Sequence, residues 1–345
     1  MSHEPNPLLI IAEAAQGYEG DAGLARALVR AAAGAGADAV KLQLVYADEL
    51  CAPGYKHHGL FRSLEMPDEA WFRLSDYANE RKIALMLDVF GSRSLALAAR
   101  IGAAAVKIHS TDMSNIGLLR EVDSSPVQVV MLSTGGCSRA EIEEALACVA
   151  AKRVVLLHGF QGYPTPLEAN QLGRFDTLRA IAANAPLKRG MRLGFADHVP
   201  SGDPLRFTLA AAALGMGARV LEKHITLAHA MKLEDHESAL GPDEFAHFVS
   251  QMRQCMEALP AGVEDAQDFG MHESERAYRA NTRKHVVALR PLKAGSVLAP
   301  EMVGLKRTAS ERFICDPREV YGRRLTRDIA AGHAIIPEML SGEQR

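Results

Sequence analysis

Eight short apolar runs, each followed by a helix-length segment, constrain this chain more than any other feature. The runs cover residues 8–13, 38–44, 83–89, 104–109, 127–133, 153–158, 193–195 and 220–223. The segments that follow them are amphipathic or Ala-rich and cover 22–35, 68–81, 92–100, 116–122, 138–150, about 175–183, 204–214 and 242–259. Parallel strands buried on both faces read as continuous apolar runs, and eight strand–helix alternations in about 250 residues is the count of a (β/α)8 TIM barrel. A doubly wound open sheet is the alternative, but no G-x-G-x-x-G follows the first run to support it. Pro67 marks the start of the second helix, and Ser138 with Glu141 has capping-box spacing ahead of the fifth.

The polar residues collect at the ends of these runs: Glu13, Lys41, Gln43, Asp88, Lys107, Ser110, Asp112, Ser133, Thr134, His158, His198, Glu222 and His224. Charges at the ends of buried strands are costly unless they share a ligand, and in a barrel those ends meet at the C-terminal mouth. The stretch 193–226 reads as a β-α-β unit, so His198 and His224 emerge side by side from neighbouring strands. Two imidazoles there, accompanied by Asp197 and Glu222, can hold a divalent metal and leave positions open for a substrate. Lys41 and Lys107, with the hydroxyls of Ser110, Ser133 and Thr134, form a cradle for a phosphate or carboxylate. A Schiff-base lysine stays open as the competing reading. Glu13 and Asp112 supply carboxylates for proton transfer or for sugar hydroxyls.

Other conspicuous residues carry less. His57 and His58 lie in a long connection and read as solvated or lid residues. Trp71 reads as core, His109 and His158 could line the mouth, and Cys137 has no identifiable base and reads as a small buried or rim residue. Lys and Arg number 39 against 42 Asp and Glu, so no overall basic field calls for nucleic acid or an anionic membrane. The five cysteines are scattered without a C-x-x-C pair, which suggests reduced thiols in a cytoplasmic protein. No apolar stretch has the length of a membrane span, and the N-terminal residues do not have the pattern of a secretory leader. Residues 1–261 are expected to form the barrel and 262–282, polar and without strong periodicity, a linker. Residues 283–345, with their short strands and turns, are expected to form a small, mostly β module.

Taken in order, Ile11-Ala-Glu13, Gly36-Ala-Asp-Ala-Val-Lys41-Leu-Gln43, Val106-Lys107-Ile-His-Ser110, Leu132-Ser-Thr-Gly135, Leu157-His158, Tyr163-Pro-Thr-Pro166, Asp197-His198, Leu221-Glu-Lys-His224 and Asp235-His236 resemble the sialic acid synthase family. Ala288-Leu-Arg-Pro-Leu-Lys-Ala-Gly295, Leu305-Lys-Arg307 and Gly322-Arg-Arg324 resemble the antifreeze-like (SAF) domain that ends those synthases. The resemblance implies condensation of phosphoenolpyruvate with an open-chain N-acetylated hexosamine, giving a nine-carbon 2-keto-3-deoxy acid and phosphate. It implies that Lys41, Lys107, Ser110, Ser133 and Tyr163 hold phosphoenolpyruvate, and that His198 and His224 bind Mn2+ or Mg2+. It further implies that Glu13, Gln43, Tyr163 and Asp235 position the sugar, with Arg307 reaching in from the partner subunit of a domain-swapped homodimer. Glu13, Lys41, Lys107 and Asp112 are the expected catalytic groups.

The chain departs from the family pattern at Gly17-Tyr18, Asp112, Gln161, Ala196 and Thr308-Ala309. These changes fall on the sugar-facing set more than on the cradle, so an altered acceptor of the legionaminic or pseudaminic type is expected. Two other readings are a phosphoenolpyruvate-dependent synthase with a different aldehyde and a non-catalytic carbohydrate-binding paralogue.

Overall fold

Strands that are apolar on both faces need a partner on each edge, and the eight runs provide this by closing on themselves. The strands are β1 (Leu9–Ala15), β2 (Ala39–Gln43), β3 (Ala84–Asp88), β4 (Ala105–Ile108), β5 (Val129–Ser133), β6 (Arg153–His158), β7 (Met191–Asp197) and β8 (Val220–His224). They pair in chain order as a closed parallel barrel, β8 returning to β1 with Glu13 opposite His224. This is the (β/α)8 architecture expected from the alternation. The computed structural model describes residues 8–159, 162, 164–259, 270–310 and 312–342, divided into two units, Met1–Ala261 and Gly262–Arg345.

The helices are α1 (Ala22–Gly34), α2 (Ala47–Leu50), α3 (His58–Ser63), α4 (Asp68–Glu80), α5 (Ser92–Arg100), α6 (Ile116–Ser124), α7 (Arg139–Cys148), α8 (Arg174–Asn184), α9 (Thr208–Gly215), α10 (Pro242–Glu257) and α11 (Glu273–Thr282). The capping box at the start of α7 forms: the Glu141 amide donates to Ser138 Oγ at 3.3 Å, and the Ser138 amide to Glu141 Oε2 at 2.7 Å. α9 starts at Thr208, later than the expected 204, because Asp203 first organises a turn that accepts the Leu205 amide on its side chain and the Arg206 amide on its carbonyl. The short helices α2 and α3 occupy the long connection expected between the second strand and the second helix.

Side chains alternate along each strand, so every second residue enters the barrel. Ile11, Ala39, Met86, Ala105, Met131, Ala196 and Val220 fill the interior as an apolar plug. Their outward neighbours, among them Ile10, Val40, Leu87, Val106, Leu132, Phe195 and Leu221, pack under the helices. Two residues further along the same strands the interior changes character: the next inward positions are Glu13, Lys41, Asp88, Lys107, Ser133, His198 and Glu222. The barrel therefore carries one charged layer on top of an apolar one, at the C-terminal mouth.

The second unit contains two antiparallel pairs, β9 (His285–Ala288) with β10 (Val303–Lys306) and β11 (Arg324–Leu325) with β12 (Leu340–Ser341). Val286, Leu298, Val303, Ile314, Val320, Leu325 and Ile335 give it a core of its own. α11, which has no buried residue, lies within the stretch expected to be a linker. Among the described residues no helix is long and apolar enough to cross a membrane.

Candidate active site

The charged layer is a network. Lys41 is completely buried, and its ammonium contacts Glu13 Oε2, donates to Asp88 Oδ1 at 2.6 Å and lies 3.6 Å from Glu222 Oε2. Lys107, 7% exposed, donates to Glu222 Oε1 at 2.7 Å and lies 3.9 Å from Asp88 Oδ2. Three carboxylates thus face two ammoniums, one negative charge in excess. Desolvating each ion costs several kcal/mol, so the layer is tenable only through this mutual pairing and through a proton kept on one carboxyl. That carboxyl is Glu13: burial pushes it up to about 8 against the attraction of Lys41, with Glu222 and Asp88 adding to the push. Glu222 goes the other way; burial opposes its ionisation, but Lys107 and Lys41 draw it down to about 2. For Lys41, burial alone would favour the neutral amine, but Asp88, Glu13 and Glu222 outweigh it and hold the ammonium well above its usual range. A Schiff-base lysine must reach the neutral amine, which this network disfavours for Lys41.

Backbone geometry fixes this edge. The register between β1 and β2 shifts between Glu13 and Ala15, and Ala15 sits at φ 45°, in the left-handed region, with its amide donating to Glu13 Oε1 at 2.7 Å. Asp235 is a second non-glycine residue in that region, at φ 60°, and its Oδ2 comes within 3.7 Å of His224 Nδ1. Burial, reinforced by Glu234 and Glu237, pushes the Asp235 carboxyl up to about 6.

His198 and His224 lie side by side as expected, with ring centroids 5.3 Å apart. The His198 carbonyl accepts from Ser238 Oγ at 2.8 Å and from the Thr165 amide at 3.0 Å, which anchors that end of β7. A Cβ on Gly159 would come within 2.9 Å of Ala196 Cβ and 3.6 Å of His198 Cε1, so only glycine allows this approach. Burial, followed by the nearby His198, Lys41 and Lys107, keeps His224 well below the usual imidazole value and hence neutral, as a metal ligand must be. Among the described residues no group of three or more His, Cys, Asp or Glu is placed to share one ion. The pair fits a divalent ion as two imidazoles with the remaining positions left to solvent or substrate.

Of the two expected companions of that pair, one is turned away and the other is committed to a lysine. Asp197 is one residue from His198, so strand alternation turns it outward, where Lys223 Nζ approaches its Oδ1 at 3.1 Å and the Val199 amide donates to it at 2.9 Å. Glu222 faces inward but is engaged by Lys107. His158 does not line the mouth either: it is outward, its Nε2 2.8 Å from the Asn170 carbonyl and its ring edge-on to Phe175. His109 lies just past Lys107 with Nδ1 3.0 Å from Thr111 Oγ1, and burial together with Lys107 lowers its imidazole to about 4.

Ser110 and Asp112 occupy a single 3-10 turn after β4, where Asn115 Nδ2 donates to Asp112 Oδ1 at 3.3 Å and burial raises the Asp112 carboxyl. Ser133 and Thr134 are buried at the end of β5. Gln43 closes β2, accepting from Gln16 Nε2 at 2.7 Å. Tyr18 is fully buried; its hydroxyl donates to the Gln43 carbonyl at 2.8 Å and its ring meets Trp71 edge-on. The departure at Tyr18 is therefore a packing residue behind β2. Burial pushes the Cys137 thiol up to about 11, which suits a bystander. His58 Nε2 lies 3.0 Å from Asp48 Oδ1, across the long connection. Tyr163 and Gln161 lie outside the described residues. Arg307, in the second unit, donates through Nε to the Thr282 carbonyl at 3.1 Å.

A closed barrel with a buried charged layer and two adjacent imidazoles at its C-terminal mouth has the architecture of a TIM-barrel enzyme. The chain belongs to the NeuB family, whose model matches residues 28–264, and a SAF domain follows at residues 283–341. It is 29% identical to an N,N'-diacetyllegionaminic acid synthase from Legionella pneumophila over 95% of this chain and 93% of that one. It is 30% identical to the enzyme of the same name from Campylobacter jejuni, over 93% of this chain and 96% of the relative. The crystal structure of an N-acetylneuraminic acid synthetase from Leptospira borgpetersenii superposes with a TM-score of 0.70 at 27% identity, covering 79% of this chain and 91% of that one.

Proposed function

We propose that this protein joins phosphoenolpyruvate to the aldehyde of an open-chain N-acetylated hexosamine, giving a nonulosonic acid and phosphate. The observation that carries the reading is the inward layer of Glu13, Lys41, Asp88, Lys107 and Glu222, with His198 and His224 beside it, at the mouth of a NeuB-family barrel. Such a fixed set of buried charges is expensive for folding and well suited to a reaction in which charge develops. The likeness to two diacetyllegionaminic acid synthases over nearly the whole chain favours a 2,4-diacetamido-2,4,6-trideoxyhexose as the acceptor.

In this reading carbon 3 of phosphoenolpyruvate attacks the aldehyde carbon, and the aldehyde oxygen takes up a proton to become a hydroxyl. Water adds to the cationic carbon 2 and gives up a proton. The tetrahedral intermediate then breaks its carbon–oxygen bond to phosphate and leaves the 2-keto acid. Lys107, the lysine with a face on the mouth, holds the anionic groups together with Ser110, Ser133 and Tyr163, while Lys41 acts from below as a fixed positive charge. Glu13, its carboxyl raised to about 8, keeps a proton at neutral pH and in this reading delivers it to the aldehyde oxygen, with Asp112 as a second carboxyl for proton transfer. Gln43 and Asp235 hold sugar hydroxyls. When bound by His198 and His224, Mn2+ or Mg2+ supplies Lewis-acid polarisation of the aldehyde. The family resemblance adds Arg307 from the partner subunit of a domain-swapped homodimer as a further contact to the sugar.

The test is phosphate release from phosphoenolpyruvate with Mn2+, across N-acetylmannosamine and the 2,4-diacetamido-2,4,6-trideoxyhexoses. Release that requires both an amino sugar and the metal, and that stops with EDTA or in His198→Ala, is the expected outcome. Silence across the panel while phosphoenolpyruvate still raises the melting temperature would indicate a binding paralogue or another acceptor. Silence with no phosphoenolpyruvate binding would overturn the reading.

A further inference from the structure

At the opposite end of the barrel from the charged layer lies a cavity of about 400 Å3. Leu9, Met86, Val129, Val155 and Val220, inward residues of their strands, give it an apolar floor. Three arginines line it: Arg153 at the start of β6, and Arg189 and Arg192 around the start of β7. Among the described residues none of these guanidiniums is paired with a carboxylate; Arg189 Nη1 donates to Gln128 Oε1 at 2.5 Å. Lys152, 4% exposed, lies beside them and donates to the Ser125 carbonyl at 2.7 Å. Burial lowers its ammonium, Asp123 opposes that, and Arg189 adds to it, so Arg189 and Lys152 feel each other's charge.

On a chain with a formal net charge of −3 this local excess of cations is self-repelling, and it surrounds a concavity instead of a flat face. A guanidinium presents a planar fork of donors that matches phosphate oxygens two at a time. The floor below has no polar side chain to satisfy, so it suits carbon. The volume lies within the range of small-molecule pockets. We infer that the N-terminal mouth of the barrel binds a phosphomonoester with a short apolar body, its phosphate among Arg153, Arg189 and Arg192 and its carbon chain on the apolar floor. Barrel chemistry sits at the other face, so this ligand is a regulator or stabiliser and not a substrate.

Isothermal titration of the full chain with n-hexyl phosphate, and in parallel with inorganic phosphate, tests the site. The expected result is one saturable event in which hexyl phosphate binds about tenfold or more tighter than inorganic phosphate. Arg189→Ala/Arg192→Ala, at exposed and half-buried positions, should weaken it by about tenfold or more, the scale of a lost charge-assisted hydrogen bond. Val129→Trp, which fills the floor, should remove the advantage of hexyl over inorganic phosphate. Absence of saturable heat overturns the inference, as do equal affinity for the two phosphates and binding unchanged in both variants, which would place the anion at the catalytic mouth.

Discussion

β8 carries two buried charges whose surroundings differ in kind. Glu222 points into the barrel and joins a layer in which three carboxylates face two ammoniums. Lys223, the next residue, points outward, is equally buried, and meets a single carboxylate, Asp197. In the outward pair burial moves both partners toward their neutral forms: Lys223 is lowered and Asp197 raised. In the inward layer Lys41 moves the other way, because several carboxylates converge on it. A balanced pair sealed under helices is a structural element that apolar residues could replace. A layer of several converging charges, neutral only through a proton on Glu13 and open to the mouth, is costly to fold and stays reactive, which is the trade expected of a functional site.

Lys41→Met should strike this difference hardest. It leaves Glu13, Asp88 and Glu222 with Lys107 alone, and we expect a loss of about 3–5 kcal/mol of stability in urea unfolding. Phosphate release by the fraction still folded should fall on the order of a thousandfold. Lys223→Met should cost about 3 kcal/mol by stranding Asp197, with kcat per folded molecule unchanged. Adding Asp197→Asn, which keeps an acceptor for the Val199 amide, should restore stability to within about 1 kcal/mol of the native protein.

A subtler effect is the proton on Glu13. The native carboxyl holds it up to about pH 8, whereas in the unfolded chain it leaves near the ordinary value of 4.5. The native state therefore binds more protons across that window. Its contribution to stability is complete below about pH 4.5 and is lost as pH rises toward 8, with a slope of at most about 1.4 kcal/mol per pH unit. Glu222, drawn down to about 2, gives the opposite dependence, confined to the acid side below 4.5. Unfolding measured from pH 5 to 8 should show a decline that Glu13→Gln flattens; an identical slope in the variant would sink the assignment of the proton.

The barrel was legible because its signal is local. Eight apolar runs alternating with amphipathic segments need no long-range information, and the ends of β2 and β4 displayed Lys41 and Lys107 openly. The His198 and His224 pair was legible from the β-α-β spacing alone. Facing is also a local signal: a period of two puts Asp197 out of phase with His198 and leaves Glu222 in phase with His224. The pairing of Asp88 with Lys41 was not legible, since it requires knowing that β2 and β3 place these residues in one layer. Nor was the role of Tyr18, whose hydroxyl reaches a carbonyl 25 residues away. The basic N-terminal mouth was hidden in the same way, because Arg153, Arg189 and Arg192 come together only when β6 and β7 pair.

The most direct measurement sets the two faces of the barrel side by side: metal- and hexosamine-dependent phosphate release by Lys107→Met and by Lys223→Met/Asp197→Asn, each normalised to its folded fraction. If the inward layer performs the reaction and the outward pair only holds strands, the first variant is silent and the second works at the native rate. Native-rate release by Lys107→Met, or an equal loss in both, would contradict it.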